Sequence, residues 1–291
     1  MFVTSDFPSE NPRTQTRNYS YTITLGNIMT NLRQIFIILF TVLFANCSVK
    51  NSRYTDLQKM NLNGNVESIK FSQFQAVKKN GQIEKQPLPK LDYMAYVDNE
   101  YHFNKKGMIE DHIQYISNRM THKYVYEYDK NLCTISKKYY NHSGELVNES
   151  YFKNVLNEEG EIVEEKEFMT GKNVDSNVIL STFVNKNKVE KIDYVDDIIF
   201  GKQKYKYNAN NNVIEENDLS EDDQIFFKVK TFYNDKGNII KTVTVDEKGD
   251  TISIENYKYL KFDHKGNWTE MLSIGNDSTE ILIESKIVYR K

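Results

Sequence analysis

The stretch TFYNDKGNIIKTVTVDEKGDTISIENYKYLKFDHKGNWT, residues Thr231–Thr269, states one local rule three times. An aromatic or β-branched run ends, a turn of Asp or Asn, two polar residues and Gly follows, and an alternating run begins. The turns are Asn234 to Gly237, Asp246 to Gly249 and Asp263 to Gly266. Asp or Asn opens a type I turn because its side-chain oxygen bonds the backbone two residues on. Gly in the fourth place takes the left-handed conformation without Cβ strain. This is the pattern of a β-hairpin with a bulge at the glycine.

Working outward, Asn104 to Gly107, Asn141 to Gly144 and Asn157 to Gly160 obey the same rule, and Asp129 to Asn131 and Asn208 to Asn212 follow it without the glycine. Asn enters the left-handed region more readily than most residues, which suits Asn211 and Asn212. Openers at 104, 129, 141 and 157 recur at 208, 234, 246 and 263, about 105 residues later, and Val66-Glu-Ser-Ile69 resembles Val189-Glu-Lys-Ile192. An internal duplication is inferred, with an insertion around Asn80 to Pro89. Turns without glycine at Ser117 to Met120, Gly171 to Ser176 and Ser220 to Asp223 divide the remaining gaps. Strands of roughly 6 to 9 residues are left between them.

Within those strands the tyrosines alternate. Tyr124, Tyr126 and Tyr128 share a face, as do Tyr205 with Tyr207 and Tyr257 with Tyr259. The spacing therefore predicts an all-β antiparallel meander of hairpin repeats, as one long twisted sheet or a sheet curled toward a barrel. Composition favours the open sheet: Tyr (20) and Phe (16) are abundant, while Lys and Glu dominate the strands and Leu and Val are thin. Cross-strand pairs would then carry the stability. Only charged residues such as Arg290 and Lys291 would blunt the edge.

A net charge of -3 from 38 basic and 41 acidic residues supplies no basic field, so nucleic acid is not expected as a partner. The N-terminus is organised differently from the rest. Residues 1–28 are polar and aperiodic, a disordered or non-native extension. Residues 29–46 carry Arg33 and then an apolar run from Ile35 to Ala45, too short to span a bilayer but suited to a secretory signal. Residues 47–59 read as a tether, 60–195 as a first β-repeat block and 196–291 as a second, continuous with it.

Leu43-Phe-Ala-Asn-Cys47 resembles the lipobox of bacterial lipoproteins, with Phe44 where Leu is usual and Asn46 where a small residue is usual. The resemblance implies that Cys47 carries a lipid and becomes the first residue of an exported protein. Phe232-Tyr-Asn-Asp-Lys-Gly-Asn238 and Tyr259 to Trp268 resemble the YD repeats of the RHS class, and the whole of Asn61–Lys291 is similar to small lipoproteins of the Bacteroidota that carry such repeats. That resemblance implies a fold and an address in the cell envelope, at the outer membrane facing the periplasm or the surface. It implies no activity.

Catalytic and metal-binding patterns were sought among the polar residues. The five histidines form no His-Glu-x-x-His arrangement. Glu164, Glu165 and Glu167 read as a solvated strand rather than a hydrolytic pair. Glu221 to Asp223 lacks the spaced ligands of a calcium loop, and Cys133 reads as a buried small apolar residue. No catalytic residue, metal ligand or cofactor is assigned. The preferred reading is a non-enzymatic binding or scaffold module, anchored through the lipid on Cys47. Its Tyr-rich face, with Trp268, Tyr259, Tyr257, Tyr207 and Tyr205, would meet an envelope glycan or protein. The alternative is an envelope hydrolase with its site in the irregular residues 80–100 or the acidic loops.

Overall fold

The computed structural model describes residues 53–88, 97–171, 177–276 and 278–291. Cys47, the signal segment 29–46, the extension 1–28, residues 172–176 and Pro89 lie outside the described residues. Among the described residues one short helix, α1 (Asp56–Lys59), precedes seventeen strands: β1 (Val66–Lys79), β2 (Gln82–Gln86), β3 (Asp98–Phe103), β4 (Ile109–Ile116), β5 (Arg119–Tyr128), β6 (Thr134–Tyr140), β7 (Leu146–Leu156), β8 (Ile162–Gly171), β9 (Asn177–Val184), β10 (Asn187–Val195), β11 (Ile198–Tyr207), β12 (Val213–Leu219), β13 (Ile225–Tyr233), β14 (Ile239–Asp246), β15 (Thr251–Phe262), β16 (Trp268–Ile274) and β17 (Glu280–Tyr289).

The turn rule is explained atom by atom. At Asn104 the side-chain oxygen accepts from the backbone N–H of Lys106 and of Met108, 2.9 and 3.2 Å away, while Gly107 N–H closes the turn on the Asn104 carbonyl. Asp129, Asn141, Asn208, Asn234, Asp246 and Asp263 make the same double acceptance. The register slips by one residue just before each of these turns, as at Phe232/Tyr233, which is the bulge the glycine permits. Asn211 and Leu132 occupy the glycine position with φ of 61° and 68°.

The open twisted sheet expected from composition is overturned: the sheet closes. Each strand from β3 to β17 pairs with the next, β3 also pairs with β1, and β1 pairs with β17 from Val66↔Tyr289 to Gln75↔Ile281. The result is a closed antiparallel barrel of sixteen strands, with β2 as an extra strand folded back on the far half of β1. Closure removes both long edges at once, a larger gain than charged ends offer. Arg290, expected to blunt an edge, clasps the seam: its guanidinium donates to the carbonyls of Val66, Asn104 and Phe103. The two sets of turn openers fall eight strands apart around the wall, and β10, which carries Val189 to Ile192, lies opposite in sequence order to β1.

Composition misled because the interior is not a conventional core. Two small apolar clusters, one of Val66, Ile69 and Phe103 and one of Cys133, Ile162 and Phe183, sit beneath the rim that carries the Asn104, Asp129, Asn157, Asn208, Asn234 and Asp263 turns. Elsewhere the tyrosine stripes face inward. Rings of Tyr101, His112, Tyr124 and Tyr139 stack in a row across β3 to β6, with centroid separations of 4.2, 5.7 and 5.2 Å. Deeper in, charged pairs such as Lys191 with Asp193 and Lys137 with Glu167 meet across the lumen wall.

The outer wall mixes charged and apolar side chains, with Tyr151, Val155, Phe200 and Phe232 among the exposed apolar ones. Outward positions carry ion pairs in succession: Lys123 with Asp111, Lys138 with Glu127, Lys204 with Glu190, Lys206 with Glu215 and Lys261 with Glu270. A barrel in a bilayer needs an apolar band about 25 Å tall, and each outward Lys or Arg at its middle would cost about 2–4 kcal/mol. At the positions of these lysines the wall is unsuited to lipid.

Burial in the aromatic row holds the His112 pKa below its ordinary 6.5, against a weaker upward pull from Asp111. Between the lowered value and 6.5 the unfolded chain binds the proton and the folded one does not. The His112 contribution is therefore fully present above pH 6.5 and is lost as pH falls through the lowered value. Denaturant titrations at stepped pH should show this loss in the native protein and a flatter profile in His112→Phe. Identical profiles would contradict the placement.

Candidate functional site

Residues 53–62 do not lie free of the barrel. They cross its rim as a strap and line a cavity of about 1040 Å³ in the mouth of the lumen. At one end the Arg53 guanidinium donates to Thr134 Oγ1 at 3.0 Å and to Glu165 Oε2 at 2.9 Å. In the middle, α1 begins with a capping box between Thr55 and Gln58, and Asp56 accepts from Ile109 N–H at 2.8 Å. Leu57 sits against Gly107, where an added Cβ would come within 3.2 Å of its side chain, so that glycine serves both its turn (φ +81°) and the strap. At the other end Asn61 donates to the Lys236 carbonyl, and the Asn267 side chain bonds both N–H and C=O of Asn63.

The opposite wall of the cavity is aromatic. Tyr207, Tyr233, Tyr257, Tyr259 and Trp268 all line it. Four tyrosine hydroxyls are committed in one repeated way: Tyr128 donates to Ile109 O, Tyr207 to Lys188 O, Tyr233 to Val213 O and Tyr259 to Ile239 O, at 2.6–2.9 Å. Each bond ties the strand that leads into a turn to the first residues of the strand before it. The hydroxyls are thus satisfied, and the tyrosine side chains line the cavity. Burial pushes the Tyr207 and Tyr259 phenols up to about 12, so both stay neutral. Tyr257 is also raised to about 12, by burial and then by its hydrogen bond to Glu255 at 2.5 Å.

Of the five aromatic residues singled out in sequence, Tyr207, Tyr257, Tyr259 and Trp268 come together on this wall. They face the lumen and not an open sheet face. Trp268 is largely a packing residue, stacked on Phe71 at 5.4 Å and edge-on to Tyr259 at 6.0 Å. Tyr205 lies one pleat deeper on the same face and bonds Gln203 at 2.9 Å.

The carboxylate runs read as solvated divide by face. Glu164 points outward, whereas Glu165 and Glu167 are buried in the lumen at 7% and 9% exposure, paired with Arg53 and Lys137. Each carboxylate has its own cation, which fits charge-pairing better than acid–base work. His102 and Asp111, 2.6 Å apart, lie on the outer wall within the network of Lys123 and Glu100, away from any cavity described. Asp223 of the acidic loop is held by Lys202 and Lys204 at 2.7 and 2.8 Å, which pulls its carboxyl down to about 2. Among the described residues no group of acidic, His and Cys side chains is arranged to hold a metal ion.

Sequence reasoning missed the cationic corner of the cavity, formed by Arg53, Lys59, Lys186 and Lys188. No motif marks it, because the strap and β10 are brought together only by closure.

No protein family matches the chain, and neither does any curated protein. Among solved structures the chain is similar to a porin-like protein from Bacteroides uniformis, at 8% identity and a TM-score of 0.35 over 77% of this chain and 98% of that one. It is also similar to TcdB2-TccC3 lacking its hypervariable C-terminal region, at 11% identity and a TM-score of 0.28, over 66% of this chain and 12% of the other. At these scores the chain is read from its own geometry.

Proposed function

We propose that this is an exported binding protein of the cell envelope, built of YD-type hairpin repeats and held to a membrane by a lipid on Cys47, with the barrel mouth as its ligand site. The observation that carries the reading is the aromatic wall of the 1040 Å³ cavity, lined by tyrosines of which three have their hydroxyls tied back to the barrel. Pockets for small ligands run to roughly 300–1,000 Å³. Flat, rigid rings in such a space suit stacking on the faces of a short glycan, at little entropic cost. The ion pairs on the outer wall are consistent with a barrel that stands in water beside its membrane.

The reading predicts that immobilised full-length protein captures soluble envelope polysaccharide and that Tyr257→Ala abolishes most of the capture. Phe200→Ala, at a side chain 83% exposed, should leave it unchanged. Equal capture by all three proteins, or none by the native one, would sink the lumen as the site. Mass analysis of the N-terminal peptide tests the anchor separately: a diacylglyceryl group on Cys47 is expected, and an unmodified thiol rejects it.

A further inference from the structure

The cationic corner of the cavity is charged unevenly. Arg53 is paired with Glu165 at 2.9 Å, Lys59 with Asp56 at 3.1 Å, and Lys186 with Glu161 at 3.7 Å. Lys188 makes no ion pair among the described residues. Its ammonium lies 5.7 Å from the centroid of the Phe183 ring, which the Arg53 guanidinium also approaches at 5.6 Å. The buried Arg53 Nε has no hydrogen-bond partner either. A half-buried cation without a carboxylate of its own is costly. Burial accordingly lowers the Lys188 pKa, with Arg53 and Lys59 pressing the same way and Glu165 opposing.

We propose that Lys188 forms an anion-recognition corner, which takes the carboxylate of an acidic sugar whose rings lie on the Tyr207, Tyr233 and Tyr257 side of the same cavity. This rests on the lumen being the ligand site and adds the ligand's chemical class. The pairings above leave one uncompensated positive charge, so the corner matches a monoanion. A uronate carboxylate supplies that single charge and acceptor oxygens for the Lys188 ammonium. A phosphate dianion would leave negative charge beside Glu165 in a poorly solvated space. Ligand binding would therefore give the Lys188 ammonium the counter-charge that its neighbours do not supply.

The test is calorimetric titration of the full-length chain with trigalacturonate, with the neutral galactotriose and with inorganic phosphate, in native protein and in Lys188→Met. Trigalacturonate should bind at least tenfold more tightly than galactotriose, and Lys188→Met should remove that preference. Unfolding midpoints of the variant should be unchanged or higher, since a half-buried charge has been removed, so lost binding cannot be put down to misfolding. If both trisaccharides bind equally and Lys188→Met changes neither, the corner is not a recognition site, although the lumen reading stands. Phosphate binding as tight as trigalacturonate would overturn the acidic-sugar assignment in favour of a bare anion site. If nothing binds, the lumen reading fails and this inference fails with it.

Discussion

Truncating Phe103 to alanine is expected to lower the stability of the barrel by about 3–5 kcal/mol, the range for a large aromatic removed from a packed site. Phe103 is 1% exposed and packs with Val66 and Ile69 where β1 and β3 meet, with Leu57, Met60 and Leu62 of the strap against the same cluster. Its carbonyl is also one that Arg290 grips. One side chain thus supports the seam, the strap and the C-terminal clasp together. Urea unfolding should show a much lower midpoint for Phe103→Ala, whereas the exposed Phe200→Ala should stay within about 0.5 kcal/mol of native. A loss below 1 kcal/mol at Phe103 would mean that the closed seam is not where this barrel is held.

The second large effect is cumulative. A buried hydroxyl-to-carbonyl bond contributes about 1 kcal/mol net, with a spread of about half that. The four ties made by Tyr128, Tyr207, Tyr233 and Tyr259 share no partner. Changing all four to Phe should then cost about 4 kcal/mol, close to the sum of the single changes. Denaturant midpoints for the singles and the quadruple variant check this. A quadruple change that costs less than a single bond would show the ties to be incidental. The repeated Tyr before its turn would then need another explanation.

The hairpins were legible in the sequence because their instructions are local. An Asn or Asp that accepts two backbone N–H groups and a Gly at positive φ state a reversal within five residues. Tight turns with neither signal were harder to see. Asn185-Lys186 and Asp196-Asp197 reverse the chain with both residues at positive φ and no glycine, and the alternation around them only weakly marks the break. Closure was not legible at all, since Gln75↔Ile281 joins residues at opposite ends of the domain and nothing in either strand names the other. The candidate site shared that fate in part. The aromatic stripes could be found by their period of two, but whether they faced solvent or a lumen depended on closure, as did the burial of Glu165 and the approach of Arg53 to it.

The tyrosine ties also bear on how such a barrel can change size. Each tie fastens a strand to its predecessor and to nothing farther around the wall, so the instructions are written one hairpin at a time. Copying or deleting one unit leaves every remaining tie intact, and the wall then grows or shrinks by two strands with its antiparallel closure preserved. Since barrel diameter rises roughly linearly with strand number, relatives of this chain would widen or narrow their bore in discrete steps, keeping an even count, without redesigning any single strand.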